Sequence, residues 1–335
     1  MGFKILAINP GSTSTKIALY DDEQPTLALT LRHSAEEIAR FPRIIDQLDW
    51  RKEMVLEALA KNNFDVKSLS AVIGRGGLIK PIESGVYEVN AALKNDLVNA
   101  QREHASNLGG LIAEQIAQAA GVKAYIADPV VVDELDDIAR LSGIPECPRI
   151  SIFHALNQKA IARRHAEKVG KRYEDLNLVV AHMGGGISVA AHKQGRIVDV
   201  NNALDGDGPF APDRAGSIPS SELIKVCFSG QYTKEELLKF ISSKGGLVAY
   251  LGTNSVIQVM ERIAQGDQRA KKVLDAMCYN IVKQIGAMAA ALSGSVQAIV
   301  LTGGIADLSG LLAGVGDQFL DLVVGDVEDD QLLEI

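Results

Sequence analysis

Cysteine is scarce in this chain. Cys147, Cys227 and Cys278 stand far apart and show no metal-ligand spacing, so reduced thiols in a cytosolic protein are expected. Positive charge is also in short supply: 34 Lys and Arg against 42 Asp and Glu leave a net charge of -8. A general nucleic-acid binder needs a basic face, so no nucleic-acid partner is expected. A local pair of arginines can still hold a small anion inside an acidic protein. No apolar run approaches the length of a membrane span. The N-terminal MGFKILAINP moves directly into a strand, without a long apolar h-region or a cleavage site. Leu6 stands where a myristoylation signal needs Ser or Thr. A cytoplasmic protein without a membrane partner is expected. HExxH, CxxC and a serine nucleophile elbow are all missing, so zinc and serine-hydrolase chemistry have no anchor.

What is present is a well-populated core and a repeated pattern. The 335 residues suffice for two domains, 47% of them are hydrophobic, and 23% charged is ordinary for a globular protein. Phe3 to Tyr20 reads as strand, polar turn, strand: FKILAI, NPGSTST, KIALY. Leu178 to His192 reads the same way: LVVA, HMGGG, ISVAAH. With Asn9 set against His182, Gly11 falls on Gly184 and the apolar flanks coincide, which points to an internal duplication. A third related piece, AIVLTGGI over 298–305, is a strand ending in a glycine pair.

Between these pieces strands and helices alternate. Ser34 and Glu37 form a capping box. Apolar spacing predicts helices after Pro42 to about Lys61, over 105–120, 151–169, 219–228 and 268–292, and one capped by Thr233 with Glu236. Strands are expected at 70–73, 86–89 and 124–127. The pattern predicts an α/β protein of two similar domains, 1–148 and 149–335, with ligands at loops on strand ends in a cleft between the halves.

Several of these loops carry groups suited to phosphate. Gly184, Gly185 and Gly186 allow bare backbone amides to approach an anion. Asn9, Ser12 and Ser14 offer an amide and hydroxyls between two strands, yet the same residues would serve an ordinary hairpin turn. This turn is not a Walker A loop, because Lys16 lies in the following strand. Arg75 among glycines and Arg214 in a Pro/Gly loop could neutralise phosphoryl oxygens bidentately, or simply be solvated. Asp128, at a strand end before Pro129, could hold Mg²⁺ through water or cap a turn. His104, His154 and His182 lie at element boundaries, where a single histidine is more often structural than functional. Taken together the set points to phosphoryl transfer.

The residues also resemble a known family. INPGSTSTK (8–16), GRGGLIKPIESGVYEV (74–89), EHASNLG (103–109), DPVVVDE (128–134) and SIFHALNQK (151–159) resemble butyrate kinases, relatives of acetate kinase. So do VVAHMGGGISVAAH (179–192), DVNNALDGDGPFAPDRAGSIP (199–219), GGLVAYLGTN (245–254) and LTGG (301–304). The resemblance implies two duplicated RNase H-like domains of the sugar kinase, Hsp70 and actin superfamily, with ATP between them. It implies reversible transfer between ATP/ADP and butyrate/butyryl phosphate with Mg²⁺, and a homo-oligomer. Another short-chain or branched carboxylate is the rival substrate. By motif, Asn9 and Asp128 would position Mg²⁺, and Ser12 and Ser14 would contact phosphate. Arg75, Arg214 and His154 would serve the carboxylate and the transferring phosphoryl. His182 with Gly184, Gly185 and Gly186 would line the phosphate track, and Gly303 and Gly304 would pass the nucleotide.

Two stretches depart from the family pattern. Ser255, Val256 and Ile257 stand where the family has Asp-Ala-Arg at the nucleoside end, which should weaken ribose or adenine recognition. After residue 305 the family's closing strand, acidic Asn-Glu-Glu motif and final helix are replaced by a tail without a basic residue. That tail implies either a catalytically impaired nucleotide-binding relative or a shifted reading frame.

Overall fold

The computed structural model describes residues 2–100 and 102–306. The tail beyond Ala306, with the departures expected there, lies outside the described residues. The described chain separates into two compact units that divide after Val132. Residues 133–148, which the sequence assigns to the first domain, lie in the second unit. They are tied there by the Asp136 amide on the Val198 carbonyl and by the buried pair of Lys159 with Glu134, at 2.7 Å.

The first unit begins with an antiparallel meander of β1 (Lys4–Pro10), β2 (Ser14–Asp21) and β3 (Gln24–Arg32). Next come α1 (Ala35–Ile38), with both bonds of the expected capping box, and α2 (Leu48–Lys61). The strand β4 (Ala71–Arg75) runs parallel to β1. Then follow β5 (Val86–Glu88), α3 (Ala91–Val98), α4 (Asn107–Ala120) and β6 (Lys123–Ala127). The six-stranded sheet has the order β3-β2-β1-β4-β6-β5. Leu6, Ile8, Ile17 and Leu19 alternate onto the face that packs with Val55, Leu59, Leu108 and Ile112 of α2 and α4. Gly121, in the left-handed region, ends α4.

The second unit opens with α5 (Ala155–Lys168) and repeats the meander in β7 (Asn177–Met183), β8 (Ile187–Lys193) and β9 (Arg196–Val200). The helices α6 (Ser220–Cys227), α7 (Lys234–Ser242), α8 (Gly246–Leu251), α9 (Val256–Ala264) and α10 (Gln268–Ala291) follow. Finally β10 (Ala298–Thr302) pairs parallel to β7. The order β10-β7-β8-β9 matches β4-β1-β2-β3 of the first unit.

The duplication reaches single rungs. Leu6 faces Leu19 and Val72, and its counterpart Val179 faces Ala191 and Ile299. A register shift breaks the outer pairing between Leu19 and Tyr20 in one unit and between Ala191 and His192 in the other, on the same rung. By the same register, Gly76 and Gly77 after β4 correspond to Gly303 and Gly304 after β10. Among the described residues no helix is long and apolar enough to cross a membrane.

Candidate active site

In the first unit, parallel pairing aligns the C-terminal ends of β1, β4 and β6. Ile8 pairs with Gly74 and Arg75 with Ala127, so Asn9, Arg75 and Asp128 emerge side by side. Ligands of open α/β sheets bind at such strand ends. Arg75 Nη1 donates to Asn9 Oδ1 at 3.3 Å. Asp128 is buried and has a φ of 35°, a region that costs energy for any residue but glycine. Its Oδ1 accepts from Ser84 Oγ (2.7 Å) and the Gly85 amide (2.8 Å), which hold the carboxylate at the strand end. His104 Nδ1 accepts from the Ser106 amide at 3.2 Å and meets Ser106 Oγ at 2.7 Å, just ahead of α4.

The glycines around Arg75 have a packing reason. A Cβ on Gly74 would stand 2.1 Å from the Gly109 carbonyl oxygen, and one on Gly109 would stand 2.3 Å from that of Arg75. Backbone touches backbone where α4 crosses the end of β4. The glycines therefore bring α4 close, and Arg75 is carried on the resulting rigid edge.

The turn after β1 is held from beneath by a residue that sequence reasoning missed. Arg51 of α2 is 1% exposed. Its Nη1 donates to the carbonyls of Gly11 (2.8 Å) and Ser14 (3.3 Å) and to Thr15 Oγ1 (3.1 Å). Its Nη2 reaches the Ser12 carbonyl at 3.4 Å and Gln47 Oε1 at 2.8 Å. The turn's carbonyls thus face a buried cation, while Ser12 is exposed and Ser14 half-buried. Burial lowers the Arg51 pKa to about 10, so the group remains charged at neutral pH. Thr15 Oγ1 also meets His33 Nε2 at 2.9 Å. Burial, aided by Arg51, lowers the His33 pKa to about 4. The one available signal was an arginine on the apolar side of a predicted helix; its target cannot be read from spacing.

In the second unit the glycine turn gathers the remaining candidates. A Cβ on Gly186 would lie 2.0 Å from Arg214 Nη1, so the guanidinium fills the space that the missing side chain leaves. Arg214 Nη1 donates to the Ala203 carbonyl, and Arg214 Nε lies 3.8 Å from Asp213 Oδ1. Burial raises the Asp213 pKa, and Arg214 opposes the rise. Gly185 is exposed, and a Cβ on Gly184 would meet His182 Nε2 at 3.1 Å. The His154 and His182 rings stack, with centroids 3.8 Å apart and planes 14° apart. His182 Nδ1 meets Asn157 Oδ1, and His154 Nδ1 meets Ser188 Oγ, each at 2.8 Å. Gly303, with a φ of 90°, abuts the Met183 backbone, so the ends of β7 and β10 meet beside the turn. Gly304 has open space around it. Asn9, Arg75 and Asp128 thus form one group, and His154, His182, Gly184 to Gly186, Arg214 and Gly303 form another.

The nucleoside-end departure falls at the start of α9. Ser255 caps α9 by accepting from the Gln258 amide at 3.3 Å, a role Asp would also fill. Val256 is buried in the core. Ile257 presents an apolar side chain that is 59% exposed.

A family model described as the acetokinase family matches residues 149–321. Butyrate kinase 2 of Clostridium acetobutylicum is 57% identical over 307 residues, 91% of this chain and 86% of that protein. Butyrate kinase 1 of the same organism is 52% identical over 336 residues, 99% of this chain and 95% of that protein. Among solved structures, Porphyromonas gingivalis acetate kinase superposes with a TM-score of 0.72 at 21% identity, covering 91% of this chain and 84% of that one.

Proposed function

The chain belongs to the acetokinase family, and from that premise we propose that it phosphorylates butyrate with ATP, reversibly, giving butyryl phosphate and ADP. The observation that carries the reading is 57% identity to a butyrate kinase across 91% of the chain. A carboxylate nucleophile is already ionised at neutral pH, so no strong general base is needed. The barrier is anion meeting anion, and the candidate residues answer it with positive charge and hydrogen-bond donors.

In this proposal Arg75 and Arg214 bind the carboxylate and offset charge on the transferring phosphoryl. His154 donates a hydrogen bond to the same group. His182 and the Gly184 to Gly186 amides line the β- and γ-phosphate track, and Ser12 and Ser14 contact phosphate. Gly303 and Gly304 pass the sugar and α-phosphate. Arg75 already bonds the oxygen of Asn9, which leaves the Asn9 amide N–H groups for phosphate. Asp128 is then the carboxylate for Mg²⁺, and Asn9 supports it indirectly. No group of three His, Cys, Asp or Glu side chains suited to a metal exists among the described residues. One oriented carboxylate plus phosphate oxygens and water is the donor set Mg²⁺ ordinarily takes, so the residues fit it. When bound, Mg²⁺ supplies charge neutralisation at the phosphates.

The proposal includes a cytoplasmic setting, with Cys147, Cys227 and Cys278 as free thiols. It also includes a homo-oligomer: α6 and α7 bury no residue among those described, and Phe228 beside them is 87% exposed. Sedimentation velocity tests the assembly, and a monomer at micromolar concentration would overturn it. The activity is tested by ADP-dependent consumption of butyryl phosphate with Mg²⁺, using acetate and branched acids as competing acceptors in the reverse direction. Absence of both turnover and ATP binding in folded protein would sink the enzymatic reading. Nucleotide binding without turnover would favour the impaired relative. A higher kcat/KM for another acid would move the substrate assignment.

A further inference from the structure

Behind His154 lies a chain of hydrogen bonds whose direction can be deduced from one carbonyl. Ser188, Gln158 and His192 are each 0% exposed and Tyr173 is 4% exposed, so the chain runs through the interior. The Ser188 main-chain carbonyl can only accept. Gln158 Nε2 lies 3.0 Å from it, so the nitrogen end of that amide faces Ser188. The same Nε2 donates to Ser188 Oγ at 2.8 Å. The other end, Gln158 Oε1, then accepts, and His192 Nε2 at 3.0 Å must be its donor. Burial, with Lys159 and Arg163 nearby, lowers the His192 pKa to about 3 and keeps that ring neutral. A neutral ring donating from Nε2 accepts at Nδ1, where Tyr173 OH stands at 2.7 Å. At the near end, Ser188 Oγ takes a hydrogen from Gln158 and has its own to give. His154 Nδ1 receives it at 2.8 Å.

We propose that the buried chain Tyr173–His192–Gln158–Ser188 holds His154 as its Nε2–H tautomer, which makes Ser188 and Gln158 positioning residues. His154 then works as a neutral donor. An imidazolium would place a second hydrogen on Nδ1 and leave the buried Ser188 hydroxyl hydrogen without the acceptor it has there. The stack on His182 at 3.8 Å suits a neutral ring. The catalytic consequence rests on the kinase reading above; the tautomer does not.

The test is imidazole ¹⁵N spectroscopy with steady-state kinetics on the full chain and on Ser188→Ala, Ser188→Thr and Tyr173→Phe. Wild type should show His154 protonated at Nε2 alone. Ser188→Ala should give mixed tautomers and lower kcat about tenfold with each KM within about twofold, less than loss of a whole donor because Nε2–H stays partly populated. Ser188→Thr keeps the hydroxyl and should restore both readouts. Tyr173→Phe should perturb the His192 signals first and reach His154 weakly. Wild-type His154 carrying its proton on Nδ1 would overturn the inference. So would an unchanged tautomer in Ser188→Ala, or a change in KM with kcat constant. If Ser188→Ala does not fold, the wild-type and Tyr173→Phe spectra decide the matter. An inactive wild type with His154 protonated at Nε2 would sink the kinase reading and leave the tautomer standing.

Discussion

Arg51 shows how much a single buried cation can organise. It bonds three carbonyls of the turn that follows β1, as well as Thr15 and Gln47. Removing it strands the buried Thr15 and Gln47 acceptors, at about 1–3 kcal/mol each, while the part-buried turn carbonyls can turn to water. Arg51→Met should therefore lower stability by about 3 kcal/mol in urea unfolding and raise the KM for nucleotide. An unchanged midpoint would mean that water replaces the guanidinium. Arg214→Ala should abolish transfer with the fold intact, since Arg214 sits over Gly186 at the surface of the core. Near-normal turnover with an unaltered circular dichroism spectrum would reduce that loop to scaffold.

Two histidines set an acid limit on stability. His33 and His192 have pKa values lowered to about 4 and about 3, chiefly by burial. Unfolded histidine, near 6.5, takes up a proton that the folded ring refuses. The unfolded state then binds more protons below about pH 6.5, so stability falls as pH falls, by up to about 1.4 kcal/mol per pH unit for each ring. The urea midpoint should drop between pH 7 and pH 5, and His33→Gln should flatten the slope. A midpoint independent of pH over that range would contradict the neutral-ring assignment.

At the level of elements, the contact of α4 with β4 is the tightest constraint near the candidate site. Gly109→Ala would drive a methyl to 2.3 Å from the Arg75 carbonyl oxygen. A loss of about 3 kcal/mol or more is expected, with a displaced Arg75 and reduced activity. Gly286 is the control: it lies in α10 with nothing within 4 Å of an added Cβ. Gly286→Ala should stabilise by up to about 1 kcal/mol through helix propensity alone. Thermal or urea unfolding of the pair checks both signs. The helices legible in advance were those with a cap or clear apolar spacing: α1, α2, α4, α5, α6, α7 and α10. The capping boxes at Ser34 and Thr233 form as expected. Missed were β3, β9, α3, α8 and α9. The edge strand β3 is largely exposed and starts beside Pro25, β9 spans only Arg196–Val200, and α8 opens on a glycine pair. Their order comes from the neighbours they pack against rather than from their own pattern.

For the whole molecule the expected test is linkage. Ligand that binds only the folded state stabilises by about 2.7 kcal/mol at 100 times its Kd. Mg·ADP should raise the unfolding temperature, and EDTA should reverse most of the rise while leaving the ligand-free value unchanged. No shift with either nucleotide would argue against a nucleotide site. The sequence by itself determined the alternation of elements, the duplication and the candidate residues, because hydrophobic period, caps and the repeated hairpin are all local patterns. Only the tertiary structure decided that Arg51 supports the first turn, that the glycines around Arg75 admit α4, and that Ser188 sets the proton on His154. Those contacts join residues distant in the chain, and a hydrogen bond's direction depends on which atom of a remote backbone it meets.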